Sequence, residues 1–145
     1  MSNNIHDYIV PGGRAHLVGI GGVSMSPLAE VLAGMGMRIT GSDMRESATV
    51  EHLRSLGIQI SIGHTAANVG DVDLIVRTAA VHDDNPEISE ARRRGIPVFE
   101  RAQAWGSIMR SYKNALCISG THGKTTTTSM CTHIAMAAQA DPTVM

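Results

Sequence analysis

Near the C-terminus, Gly120-Thr121-His122-Gly123-Lys124-Thr125-Thr126 sets glycines, a lysine and hydroxyls in the order that polyphosphate binding needs. Bare glycines let backbone N–H groups turn toward an anion, and a helix that opens at the same point aims its positive dipole end there. A lysine at the helix start reaches the β- and γ-phosphates, and the hydroxyl after it ligates Mg2+. Gly123, Lys124 and Thr125 supply these parts in turn. The longer Walker A pattern wants a glycine where Ile118 stands, so this loop is a shorter one that begins at Gly120. His122 reads as a shape or phosphate contact, because no second metal ligand stands at a suitable spacing.

A second glycine cluster, Gly19-x-Gly21-x-x-Ser24, falls where a first strand turns into a first helix. The dinucleotide-binding fingerprint has Gly or Ala where Ser24 stands, since helix and strand pack closely at that point. Asp43 follows the second strand, where an acidic residue holds a ribose hydroxyl in such folds, although it could equally cap the next turn. Taken alone, the cluster fits an NAD-binding module of an oxidoreductase, a UDP-sugar-binding domain without catalysis, or a tight turn that binds nothing. The loop at 120 shifts the balance. A dehydrogenase has no use for an ATP loop directly after its Rossmann domain, whereas an enzyme that activates a nucleotide-linked substrate with ATP needs both.

The elements that must position these loops follow from alternating short apolar runs and amphipathic stretches, the pattern of parallel βαβ units. Strands are expected near 15–20, 37–41, 58–62, 72–77 and 97–99. Leu28, Val31, Leu32 and Met35 repeat at helical spacing, with Pro27 suited to the first turn and Gly36 to the stop. Further helices are expected over 50–56, over 86–94 with Asn85 as N-cap, and over 101–112. That is a Rossmann-like, doubly wound α/β parallel sheet over residues 1–112. The pattern then restarts: Ala115–Ser119 reads as a buried strand, and 125–138 as a helix after the phosphate loop. Residues 113–145 therefore read as the first β-loop-α of a second, truncated domain.

Bulk properties narrow the class. With 145 residues the chain has room for one ordinary domain, and 43% hydrophobic content supports a packed core. A net charge of −1 gives no basis for attracting nucleic acid or an anionic membrane, and four aromatics (Tyr8, Phe99, Trp105, Tyr112) are too few for a base-stacking surface. Cys117 and Cys131 have no metal-ligand spacing and read as reduced, buried core thiols of a cytoplasmic protein. No apolar run is long enough to span a bilayer, and the polar N-terminus lacks a signal-peptide core.

Gly19-Ile20-Gly21-Gly22, Met25-Ser26, Leu28–Leu32, Gly41-Ser42-Asp43, Gly63-His64, Asp84-Asn85-Pro86-Glu87, Arg92–Val98, Arg101-Ala102 and Gly120–Met130 together resemble the N-terminal part of the Mur ligase family. Within it they look like the members that join L-alanine to UDP-N-acetylmuramate in peptidoglycan precursor synthesis. The threonine-rich loop at 120 is the most specific match. The resemblance implies that ATP converts the lactyl carboxylate to an acyl phosphate, which the alanine amine attacks. It implies further that backbone N–H groups of Gly21, Gly22 and Val23 face the diphosphate, that Ser42 and Asp43 face the uridine, and that His64 lies near it. Thr78 and Ala79 stand where the family commonly has a Ser-Ser pair near the phosphates. Gly120, Thr121, His122, Gly123, Lys124, Thr125 and Thr126 would hold ATP, with Lys124 neutralising the moving phosphoryl group and Thr125 ligating Mg2+. The family's alanine-binding domain has no counterpart in the sequence, so this chain alone is expected to be inactive. Met130, Ile134, Ala137 and Ala138 fall on one side of the last helix and call for a cover, for which pairing with a second copy through 113–145 is one candidate.

Overall fold

The computed structural model describes residues 4–144. A short 3-10 turn at Ile5–Asp7 leads into strand β1 (Arg14–Val18), helix α1 (Ser26–Gly34), β2 (Arg38–Asp43), α2 (Ala48–Ser55) and β3 (Gln59–Ile62). A 3-10 turn at Ala66–Asn68 then joins β3 to β4 (Leu74–Arg77), followed by α3 (Pro86–Arg93), β5 (Val98–Glu100) and α4 (Arg101–Arg110). The five strands form one parallel sheet in the order β3-β2-β1-β4-β5. The chain winds outward from β1 through β2 to β3, then returns to add β4 on the other side of β1. That reversal opens a crevice at the carboxyl ends of β1 and β4, the usual ligand position in such sheets.

Alternation along the strands builds two cores. Ala15 and Leu17 of β1 and Leu74 and Val76 of β4 pack with Leu28, Ala29 and Leu32 of α1, Leu53 of α2 and Ile108 of α4. Val18 and Ile75 face the other way and meet Val69, Val72, Ile88 and Ala91. This second face is thinner, because the β3–β4 connection carries a 3-10 turn rather than a helix. Beside its apolar patch, the outward residues of β1 and β2 are polar: His16, Thr40 and Ser42.

Local chemistry sets the ends as expected. Pro27 sits in the first turn of α1, and Asn85 caps α3 by accepting the Glu87 N–H at 2.9 Å. Gly36, Gly57 and Gly95 take left-handed φ values of +86°, +86° and +69° just beyond three of the helices. α4 stops at Arg110, two residues short of the expected end.

The chain divides into two compact units between Ser111 and Tyr112. In the second, α5 (Lys124–Ala137) follows the phosphate loop. The buried strand expected at Ala115–Ser119 is not formed: those residues have no ladder partner among the described residues. A parallel strand needs neighbours to bond its N–H and C=O groups, and 112–144 contains no other strand to provide them. The cysteine expectation fails for the same reason: Cys117 is exposed and Cys131 only half-buried. α5 buries none of its residues, and Met130 and Ile134 on its uncovered side are 60% and 70% exposed. No helix among the described residues is long and apolar enough to cross a membrane.

Gly41 is where the glycine loop rests on the sheet. A Cβ there would stand 2.6 Å from Ile20 Cδ1 and 2.8 Å from the Leu17 carbonyl oxygen. Gly41→Ala is expected to destabilise the fold by about 1–3 kcal/mol through overpacking. In urea unfolding this appears as a lower midpoint with an unchanged slope; an unmoved midpoint would mean that Ile20 retreats at no cost.

Candidate functional site

The site grows from the turn after β1. Gly19 adopts φ +82°, and a Cβ on it would press to 2.9 Å from Thr78 Cγ2, so the loop needs glycine both for its turn and for its approach to the β4 loop. The Ser42 carbonyl accepts the N–H groups of Gly19 at 2.8 Å and Ile20 at 3.0 Å, tying the turn to the end of β2. Gly21 donates its N–H to Asp43 Oδ2 at 2.9 Å, and Gly22 donates to the Gly19 carbonyl at 3.2 Å. Two of the three backbone donors expected to face a diphosphate are therefore engaged inside the protein. The N–H groups of Val23 and Ser24 find no acceptor among the described residues, and Val23 is 94% exposed. The open donors lie one step further along the loop than the sequence reading placed them.

Asp43 clamps the loop and also shapes its own turn. Besides Gly21 it accepts the Arg45 N–H at 3.3 Å, so each carboxylate oxygen already holds one backbone donor and keeps further acceptor capacity. Gly21 makes the approach possible, since a Cβ on it would sit 2.9 Å from Asp43 Oδ2.

Ser42 and His64 meet at a shared carboxylate, that of Glu87. Ser42 is fully buried, and its hydroxyl donates to Glu87 Oε2 at 2.7 Å. His64 Nδ1 lies 2.9 Å from Glu87 Oε2 and 3.1 Å from Ser42 Oγ. Asn68 Nδ2 donates to Glu87 Oε1 at 2.6 Å and to the Gly63 carbonyl at 2.9 Å. His16, buried in β1, bonds Thr40 through Nδ1 at 2.9 Å and brings Nε2 to 3.6 Å from Glu87 Oε1. Glu87 thus has no solvent exposure, yet its carboxylate gathers donors from β2, the β3 loop and the 3-10 turn. Burial alone would push its pKa up. The contacts from His16, Asn68 and Ser42 outweigh that and hold it below the ordinary carboxylate value. The His16 approach is longer than a hydrogen bond, whereas the contacts of Ser42 and Asn68 are short.

Cationic groups rim the same edge. Arg101, opening α4, donates to Ser24 Oγ in the glycine loop and has no carboxylate partner among the described residues. Arg77, at the end of β4, is instead neutralised by Asp83 at 2.5 Å, which Arg92 also holds at 2.9 Å. Those two arginines keep the Asp83 carboxyl below its usual range. Thr78 is half-buried and Ala79 exposed in the β4 loop beside Gly19. Glu87, Asn68, His16 and Arg101 had no assigned role at the level of sequence. Glu87 and Arg101 stand in segments that carry the family resemblance and His16 is a lone histidine within an apolar strand, whereas Asn68 gives no signal in the sequence.

In the second unit the phosphate loop has its helix in place. Gly123 takes φ +76° and α5 starts at Lys124. The N–H groups of Gly123, Lys124, Thr125 and Thr126 have no acceptor among the described residues, as the first turn of a helix leaves them. Lys124 Nζ donates to the Gly120 carbonyl at 2.7 Å, folding the cation across its own loop. Thr128 and Thr132 return their hydroxyls to helix carbonyls at 2.8 Å each, whereas the Thr125 hydroxyl has no partner among the described residues. Among the described residues no cluster of three His, Cys, Asp or Glu could hold a metal ion.

The model of the Mur ligase family, catalytic domain, matches residues 14–113. The chain belongs to the Mur ligase family. Relatives within this family include UDP-N-acetylmuramate–L-alanine ligases of Clostridium novyi, 50% identical over 91% of this chain, and of Clostridium botulinum, 52% identical over 90%. The chain spans about 29% of the length of the first of these and 28% of the second. Among solved structures, the UDP-N-acetylmuramate–alanine ligase of Thermotoga maritima superposes with a TM-score of 0.83 at 40% identity, covering 91% of this chain and 31% of its own. A murein peptide ligase of Psychrobacter arcticus gives 0.81 at 28% identity, covering 88% of this chain and 27% of its own. The five-stranded parallel sheet is thus the N-terminal fold of Mur ligases.

Glu87→Gln is expected to cost about 2–4 kcal/mol at neutral pH, the scale of breaking a buried hydrogen-bonded charge network. Asn68 cannot turn its amide to suit the new side chain without abandoning Gly63. Because Glu87 titrates below its ordinary 4.5, its ionised form stabilises the fold above that pH, and the contribution is lost as pH falls through the depressed value. The gap between wild type and Glu87→Gln in denaturant unfolding should therefore narrow as pH falls below 4.5; a gap that stays constant would contradict this.

Proposed function

We propose that the chain supplies the UDP-substrate-binding domain and the ATP phosphate loop of an ATP-dependent ligase that joins L-alanine to UDP-N-acetylmuramate, in the cytoplasm. Residues 1–112 form the first of these parts and 113–145 the opening of the second. The observation that carries the reading is the pair of open N–H groups at Val23 and Ser24, with the Arg101 guanidinium on the same loop. Donors without acceptors beside a cation without a carboxylate suit a diphosphate. Asp43 retains acceptor capacity for a hydroxyl of the nucleoside, and His64 lies beyond it at the end of β3. The names of the relatives at about half identity supply the substrate pair.

The second unit fits the nucleotide that such chemistry requires. Gly123, Lys124, Thr125 and Thr126 offer backbone donors to phosphate oxygens, and the Thr125 hydroxyl is open to Mg2+. ATP supplies the γ-phosphoryl group that makes the lactyl carboxylate an acyl phosphate; the amine of L-alanine then forms the C–N bond and inorganic phosphate leaves. Lys124 would exchange the Gly120 carbonyl for a phosphate oxygen and offset charge as the phosphoryl group moves.

Calorimetric titration of the 145-residue chain with UDP, UDP-N-acetylmuramate and NAD tests this reading. The two uridine ligands should bind and NAD should not. Arg101→Ala should weaken both by about tenfold, the scale of one charge-assisted hydrogen bond. Preferential binding of NAD would favour an oxidoreductase module instead. The chain alone should release no ADP in response to L-alanine, since phosphoryl transfer depends on positioning by more parts than it contains; alanine-dependent ADP release would overturn that expectation.

A further inference from the structure

Glu87 gathers side chains from the end of β2, the turn after β3 and the 3-10 turn that follows. Its carboxylate is buried and accepts from Ser42 Oγ at 2.7 Å, so the single hydroxyl proton of Ser42 is committed to it. An ionised carboxylate accepts only, so His64 Nδ1, 2.9 Å from the same oxygen, must carry a proton to bond there. An unprotonated Nδ1 would set two lone pairs against each other. The other oxygen of Glu87 accepts from Asn68, whose own oxygen accepts from Thr65 at 3.1 Å, so the amide orientation is fixed from both sides. His16 faces the same carboxylate from β1. The hydrogen bond made by one ring nitrogen decides the state of the other. In the neutral ring, His64 Nε2 is left as a bare acceptor. It has no protein partner among the described residues and is not one of the buried unpartnered atoms, so it meets solvent at the end of β3.

We propose that Glu87 is a positioning residue that locks His64 in the Nδ1–H tautomer, so that Nε2 presents a hydrogen-bond acceptor and selects a ligand with a donor at that point. For a uridine nucleotide the donors available are the base N3–H and the ribose hydroxyls. Cytidine has no N3–H, so an acceptor facing the base would also discriminate between pyrimidines. The inference rests on the nucleotide reading for its ligand half only; the hold of Glu87 on the ring stands on this chain's own geometry.

The test has two arms. Nitrogen-15 NMR of histidine-labelled 145-residue chain at pH 8 reads the His64 tautomer directly, without ligand. The expected result is Nδ1–H in the wild type and loss of that state in Glu87→Gln; Nε2–H in the wild type overturns the proposal. In the second arm the wild type is titrated with UDP, 3-methyl-UDP and 2′,3′-dideoxy-UDP. One of the two analogues should bind roughly tenfold or more weakly than UDP, which identifies the donor. His64→Ala should narrow the gap between UDP and that analogue; a gap of unchanged size would assign the donor to Asp43 and overturn the acceptor role of His64. If Glu87→Gln does not fold, the wild-type tautomer and the His64→Ala comparison decide the matter. Equal affinity of the wild type for all three overturns the acceptor role. No binding of any of them, with Nδ1–H present, overturns the nucleotide reading and the ligand half of the inference, and upholds the hold of Glu87 on His64.

Discussion

A carboxylate with no access to solvent sits on the thin face of the sheet, and the carboxyl-end crevice is organised around it. Taking a charge out of water costs several kcal/mol unless its lone pairs are met. Glu87 meets that demand with Ser42, His64 and Asn68 at hydrogen-bond distance, aided by its place in the first turn of α3, where the helix dipole favours an anion. Each donor comes from a different stretch of chain. Satisfying one residue therefore fixes the end of β2, the turn after β3 and the 3-10 connection relative to one another. A crossover helix would have covered β1 and β2 with apolar side chains; here a polar network takes that place, and it can be completed in only one arrangement.

The same residues transmit that order to the glycine loop. Ser42 holds Glu87 with its side chain and the N–H groups of Gly19 and Ile20 with its carbonyl. The next residue, Asp43, takes the Gly21 N–H. Two consecutive residues of β2 thus anchor both the network and the loop, and the bare Cα of Gly41 lets Ile20 settle on the strand just before them. The loop is left with its first donors consumed and its last ones, at Val23 and Ser24, turned outward. Rigid anchoring on one side and open donors on the other is what an anion site of fixed geometry requires.

The sheet was legible because its signals are local. Apolar runs, Pro27 and Pro86, the Asn85 cap and glycines after helices all act within a few residues, and the observed elements fall within a few residues of their expected limits. The end of β1 came early because Gly19 leaves the extended region there. The turns that carry the candidate site were also readable, but the direction of their side chains was not. Ser42 falls on the α3 face of β2, and nothing near it in sequence shows that a glutamate on a distant helix takes its hydroxyl. His16 looks like an interruption of an apolar strand until Glu87 stands opposite. Contacts of this kind are decided by tertiary packing, which a pattern of types and spacings does not carry.

The failed strand at 115–119 shows the other side of that rule. Its sequence is as apolar as that of β4, yet β4 is paired on both edges and the later segment on neither. A helix bonds its own backbone, so α5 forms from local sequence alone, with its first-turn donors presented after Gly123. A strand bonds only to neighbours, so the same short unit keeps the helical half of its phosphate loop and not the extended half. The lysine responds to that setting. Nζ takes the carbonyl of Gly120 and bridges the loop that it would open to phosphate. The loop's chemistry is thus written locally, whereas the strand that should brace it needs partners that residues 112–144 do not contain.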